Sequence, residues 1–332
     1  MQVRHALVAA LVTMAFARPD AQVAGAVSDT GDAQGRQLPL LSEHRYRIVG
    51  RVRLLFFWTG AREVGGARLT RRGAADTNAI ALLIGSDPAR APKSMNEWGY
   101  IREHVRGETA DVFGVRTMQD ADSVEKAKAR LAEQSNAHLF GILCSSITSS
   151  TARSTTTTVE APRDVTYAAT TRLLDVVARS DEWKTRDLGR PKDAAAGFLH
   201  ALDRLIHASV RAARREQAGP ALKTVSYVYR SDVNDLRLEK TEKTDLTVGP
   251  TLYSNLIRGT FVVRNRTTGS TTEFTVTYGT DGGLAEVPVH AAYEPHWWLK
   301  IELLLDDSLA VPPDPAADRA VLDRIERICR RH

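Results

Sequence analysis

The sequence predicts an α+β protein, mainly antiparallel β-sheet, curled or part-closed into a barrel, with one long and two short helices. Three observations lead there. Residues 254–307 read as three or four consecutive strands joined by short Gly-bearing turns. Residues 194–217 form the one long run with helical periodicity. The order is a β-rich block, a helix, more strand, the long helix and a β meander, without regular β-α alternation.

The meander is the clearest part. Residues 257–264 are rich in β-branched and aromatic side chains. After the polar break Thr267-Thr268-Gly269-Ser270, residues 272–278 alternate, with Phe274, Val276 and Tyr278 on one face. Gly279-Thr280-Asp281-Gly282-Gly283 makes the next turn. Pro288 marks the following strand as an edge or a bulge. In 297–305, Trp297, Leu299, Ile301, Leu303 and Leu305 share the apolar face, while Trp298, Lys300, Glu302 and Leu304 face the other way.

Upstream, residues 46–58, 64–71, 78–84, 97–101, 110–118 and 138–147 read as strands, with a turn at Thr59-Gly60-Ala61-Arg62. A short helix is expected over 123–134, capped from the Asp120–Ser123 region. The Ser/Thr-dense stretch 145–158 reads as a frayed strand pair or a loop, 165–177 is ambiguous, and 183–191 is irregular. In the long helix Leu199, Leu202, Ile206 and Val210 form the apolar stripe, and Gly219-Pro220 stops it. After Pro312-Pro313-Asp314-Pro315, residues 316–332 close the chain as a basic helix with Val321, Leu322, Ile325 and Ile328 inward.

At the N-terminus, Arg4 and His5 precede an apolar run to Phe16, and Ala15-Phe16-Ala17 fits a small-x-small cleavage site. Residues 1–17 therefore read as a signal peptide, with Ala24-Gly25-Ala26 a second cleavage candidate, and the run is too short to cross a bilayer. Residues 18–43 read as a disordered lead-in and 44–310 as the folded body, either one domain or two sub-domains split near 150–220. Export implies a periplasmic or secreted destination. A net charge of +5, from 45 basic and 40 acidic side chains without a basic block, points to no nucleic-acid partner.

Candidate chemistry is sparse. His200, Asp203 and His207 share a helix face, but the two imidazoles are about 10.5 Å apart along the axis, so a polar flank fits better than a metal site. His290 and His296 near Glu294 offer a His/carboxylate pair without a nucleophile motif. Cys144 lies in an apolar strand; with Cys329 it forms either a disulfide or two buried thiols. No dinucleotide, phosphate-loop, zinc or nucleophile-elbow motif is present, so no cofactor or metal is expected. Asn265-Arg266-Thr267 reads as a hairpin loop. Trp58, Trp98, Tyr278, Trp297 and Trp298 can line an apolar binding site or belong to plain core.

Several segments resemble a group of exported bacterial proteins without an assigned activity. They are Gly50-Arg51-Val52-Arg53-Leu54 with Val64-Gly65-Gly66-Ala67-Arg68-Leu69, Leu83-Ile84-Gly85-Ser86-Asp87-Pro88, Trp98-Gly99-Tyr100-Ile101, and Phe274-Thr275-Val276-Thr277-Tyr278-Gly279 on to Trp297-Trp298. The resemblance spans roughly residues 45–307; it implies export and a shared fold and transfers no site. The expected function is a non-enzymatic binding protein for an apolar ligand, such as a lipid, or for an envelope partner. The alternatives are an exported hydrolase using a His/Glu site near 290–296, and a structural envelope component.

Overall fold

The computed structural model describes residues 38–54, 57–90, 96–117, 137–148, 150–162, 165, 170–180, 183–189, 197–216, 222–229, 232–296, 299–309 and 319–331. The signal peptide, most of the lead-in and the helix expected over 123–134 lie outside them. Fourteen strands form one antiparallel sheet. They are β1 (Leu40–Leu54), β2 (Phe57–Ala74), β3 (Thr77–Ser86), β4 (Trp98–Arg106), β5 (Thr109–Thr117), β6 (Ala137–Ile147) and β7 (Thr151–Pro162), then β8 (Lys184–Gly189), β9 (Thr224–Tyr229), β10 (Asp232–Val248), β11 (Thr251–Asn265), β12 (Thr271–Gly279), β13 (Pro288–His296) and β14 (Leu299–Leu305). Among the described residues there are three α-helices, α1 (Thr170–Val177), α2 (Phe198–Arg214) and α3 (Arg319–Arg331). The chain is thus mainly antiparallel β.

The strand order is β8-β7-β6-β5-β4-β3-β2-β1-β14-β13-β12-β11-β10-β9. Two meanders, β1 to β8 and β9 to β14, are joined where β14 pairs with β1, from Tyr46↔Leu305 to Val52↔Leu299. The sheet therefore has its open edges at β8 and β9, and α2 is the connection between them in sequence.

The sheet curls around α2. His200 near the start of α2 meets Glu103 on β4, and Ser209 nine positions on meets Tyr278 on β12. Those strands are six neighbours apart in the sheet, about 29 Å if it were flat. The two helical positions are only about 14 Å apart along the axis. The helix is a chord to the sheet's arc, so it lies on the concave side. Buried residues of β5, β6 and β7 (Val112, Leu143, Ile147, Ala152) and of β9 to β12 (Tyr227, Leu236, Phe261, Phe274, Tyr278) join one core with Leu205, Ile206 and Val210 of α2.

The opposite face of β3 to β7 carries a second core. Trp98, Phe113, Phe140 and Ile142 pack there under Leu173 and Leu174 of α1 and Val321, Ile325 and Ile328 of α3. A disulfide between Cys329 and Cys144, with Cα atoms 5.4 Å apart, fastens α3 to β6. A third core gathers Tyr46, Ile48, Val289, Ile301 and Leu303 with Val248 and Leu256 from the far end of the β10–β11 ribbon.

Several expectations are corrected. The reversal after β1 lies between Leu54 and Phe57, which pair directly, and Thr59, Gly60, Ala61 and Arg62 fall inside β2. The intervening Leu55-Phe56 carries none of the Gly/Asn chemistry by which turns are recognised. β1 already begins at Leu40, so the end of the expected lead-in belongs to the sheet. The Ser/Thr-rich stretch 145–158 is the strand pair of its two readings, the end of β6 and most of β7, but it is regular and not frayed, with β7 paired on both sides. Its inward hydroxyls find partners, as in Ser145 Oγ with Ser154 Oγ at 2.7 Å and Thr157 Oγ1 with Ser180 Oγ at 3.0 Å, so alternation with polar atoms builds a strand as firmly as alternation with apolar ones. The segment read as irregular forms the edge strand β8. Of the two readings of Pro288 the bulge holds and the edge does not: it opens β13 beside a register shift at Thr277/Tyr278, inside the sheet. The hairpin expected around Thr267–Ser270 is present, and Asn265 Oδ1 accepts the N–H groups of Thr267 and Thr268.

Candidate functional site

The polar flank of α2 holds the most developed side-chain geometry. At its N-terminal end the Glu103 carboxylate, fully buried, accepts the backbone N–H of Leu199 at 2.8 Å (Oε1) and of His200 at 2.9 Å (Oε2). Helix N-termini leave such donors unpaired, and a carboxylate there also meets the positive end of the helix dipole. The cap comes from another strand, because Gly197 at the N-cap position has no side chain to offer. A Cβ at Gly197 would collide with that carboxylate, so glycine is needed there for space.

His200 completes the cluster. Its Nδ1 lies 2.8 Å from Glu103 Oε2 and its Nε2 2.6 Å from Asn78 Oδ1. A carboxylate only accepts, so Nδ1 carries a proton. Both ring nitrogens are engaged and the imidazole is held in one orientation.

Further along the same flank, Asp203 lies 2.6 Å from Arg71 Nη2 on β2. His207 Nδ1 lies 2.7 Å from Glu286 Oε1, and Arg214 donates to the Thr280 carbonyl at 2.8 Å. His200, Asp203 and His207 therefore do not converge on an ion; each takes its own partner, from β3 and β4, from β2 and from the turn before β13 respectively. Among the described residues no group of three or more His, Cys, Asp or Glu side chains could hold a metal. Beneath the helix, Tyr278 O–H donates to Ser209 Oγ at 2.9 Å, and burial pushes the phenol up to about 12, with the Ser209 hydrogen bond opposing.

A second ionisable cluster lies on the outer face of β1, β14 and β13. Glu302 is bonded by His290 Nε2 at 3.2 Å, by Lys300 Nζ at 3.1 Å and by the Arg51 guanidinium. Burial alone would raise the Glu302 carboxyl. The bonds from His290, Lys300 and Arg51 outweigh it and bring the group down to about 2. His290 thus pairs with Glu302, whereas Glu294 is exposed. The His296 side chain lies outside the described residues.

The aromatic candidates separate. Trp98 is buried in the core under α1 and α3; its Nε1–H donates to the Val165 carbonyl at 3.2 Å and its ring leans on Phe140. Tyr278 is buried in the core under α2, on the other face of the sheet. The structure does not bring these two together. The side chains of Trp58, Trp297 and Trp298 lie outside the described residues.

Glu103, Arg71 and Glu286, which anchor α2, were not singled out from the sequence. A charged residue alternating into the inward face of a strand, as Glu103 does between Ile101 and Val105, is the signal that could have found the first. No known family model matches this sequence, and no curated protein and no solved structure is similar to it.

Proposed function

We propose that this chain is an exported, non-enzymatic carrier of an apolar ligand, held on the concave face of the sheet beneath α2. One observation supports the reading above others: among the described residues the apolar concave face is covered by one amphipathic helix, whose charged anchors differ in depth along its length. At the N-terminal end Glu103 is buried and saturated with N–H donors. Past the middle of the helix the buried anchor is one neutral hydrogen bond, Tyr278 to Ser209, and the charged pair, His207–Glu286, has a His side chain 51% exposed. An exposed pair contributes only about 0–1 kcal/mol. A helix so held pivots at Glu103 and lifts at its far end, and the side chains a ligand would meet are those that Leu205, Ile206 and Val210 cover now. The charged leader at Arg4 and His5 and the run to Phe16 support export. The disulfide fits an oxidising compartment.

The test is extraction of the protein purified from its exported pool, without detergent, followed by mass spectrometry. A stoichiometric apolar molecule is expected. Repeated recovery of empty protein that also takes up no fatty-acyl probe would refute the reading.

A hydrolase acting through His290 is the second reading. The carboxylate of Glu302 fixes a proton on Nε2, which leaves the buried Nδ1 as a base with no hydrogen-bond partner among the described residues. His290→Ala decides it: an ester-cleaving activity lost in that variant would favour the hydrolase, and an activity it leaves intact would eliminate it.

A further inference from the structure

The free edge of β10 is a surface that the carrier reading leaves unused. β9 pairs with β10 only as far as Arg237, and Leu238 N–H still reaches the Lys223 carbonyl at 2.8 Å. Over residues 240–248, β10 is paired to β11 on one side, and no described strand or backbone–backbone hydrogen bond occupies the other; the Asp245 carbonyl accepts the neighbouring Thr244 Oγ1 at 3.1 Å, a contact local to the strand. The side chains there alternate cleanly: Thr241, Lys243, Asp245 and Thr247 are exposed, while Glu242, Thr244 and Leu246 are half-buried. The register shifts fall at Leu238/Lys240 and Thr244/Leu246. The second leaves the extra residue on β11, so β10 itself stays regular from 240 onward. A bare, regular edge is a template for another strand.

We propose that the occupant of this edge is a second copy of the chain, the two β10 strands pairing antiparallel about a two-fold axis at Thr244. A two-fold axis normal to the sheet keeps each face on its own side, so residues equidistant from the axis meet on one face. Charge and strand length select the centre, since centring on Leu246 or Thr247 leaves only a short end of β10 to pair. Centring on Lys240, Glu242, Lys243 or Asp245 sets a like charge against itself. Centring on Thr241 would carry the second strand into the place held by Lys223. Centring on Thr244 sets Lys243 against Asp245 of the second copy, twice over by symmetry, and Thr241 against Thr247. Opposite charges and Thr pairs are favourable cross-strand neighbours. Lys243 has no ion-pair partner among the described residues, and the Asp245 carboxylate accepts the Asn255 N–H at 3.2 Å but has no ion-pair partner among them. By contrast, Lys240 and Glu242 already satisfy one another at 3.2 Å. The other role for charge on an edge is to repel strands; the register above distinguishes the two, because it predicts which charges can be exchanged.

Sedimentation equilibrium of the mature protein over a concentration series tests this. The native protein should approach twice the monomer mass. Lys243→Asp and Asp245→Lys should each weaken association about tenfold or more, since each places like charges opposite at two symmetric positions. The double exchange, Lys243→Asp with Asp245→Lys, should restore it. Thr244→Cys should give an interchain disulfide on mild oxidation, and Thr247→Cys alone should not. A native protein that stays monomeric throughout, single variants that associate as the native does, or a double exchange without rescue would each overturn the proposal.

Discussion

At the scale of single residues, Glu103 carries the greatest consequence. Its two oxygens accept three N–H groups in a site closed to water. Glu103→Gln keeps the shape, removes the charge and turns one acceptor into a donor facing donors. It should cost about 3 kcal/mol in urea unfolding; a loss under about 1 kcal/mol would show that the carboxylate does not hold α2. Gly197→Ala should also destabilise, because the new methyl group enters the space of that carboxylate; a melting temperature equal to the native one would contradict it. Glu302 gives the pH dependence. Its folded-state value of about 2 lies below the ordinary 4.5. The stability it adds is therefore complete above about pH 4.5 and is lost as the pH falls toward 2. Glu302→Gln should flatten that part of a stability–pH curve, and an unchanged slope would rule the group out. The sequence showed that His200, Asp203 and His207 share a face, since helical spacing alone decides that. It did not show their partners. Glu103, Arg71 and Glu286 come from three distant parts of the chain, and only the curl of the sheet brings them to the helix.

At the scale of elements, strands read well where turn chemistry was explicit and poorly where it was not. The β11–β12 hairpin is bounded by Asn265 and Gly269 and was legible. The β1–β2 reversal falls between Leu54 and Phe57, and the two residues between them in sequence include no Gly, Pro, Asn or Asp to announce it. β7 read as either a frayed strand pair or a loop because its inward positions are Thr and Ser; burial of hydroxyls depends on partners on β6 and β8 that a single strand cannot reveal. The α3 helix depends on the bridge at Cys329. Its apolar residues Val321, Ile325 and Ile328 are buried, but the helix is short and strongly basic. Joining residues 185 apart in sequence typically contributes about 2–5 kcal/mol. Cys329→Ser should lower stability within that range and raise amide exchange in α3 ahead of α2. Exchange that rises equally in both helices would show that α3 is not a separate unit.

At the scale of the molecule, fourteen strands in one antiparallel order produce a sheet too wide to stay flat, and strand twist curls it. The expectation of a curved antiparallel sheet rested on the meander at 254–307, and that part of the chain does supply β11 to β14. What could not be foreseen is that the two meanders join through β1 and β14, since nothing local in either strand names a partner so far away in sequence. That junction places the long helix on the concave face, and the carrier reading rests on the helix being able to leave it. One experiment addresses this directly. His207→Cys and Glu286→Cys, tied by a short bis-maleimide, would fasten the outer half of α2 to the turn before β13 while the native cysteines remain bonded to each other. Binding of a fluorescent fatty acid is then measured before and after linking. Uptake by the unlinked protein and its loss on linking is the predicted result; equal uptake in both forms, or none in either, would contradict a concave face that opens to an apolar ligand.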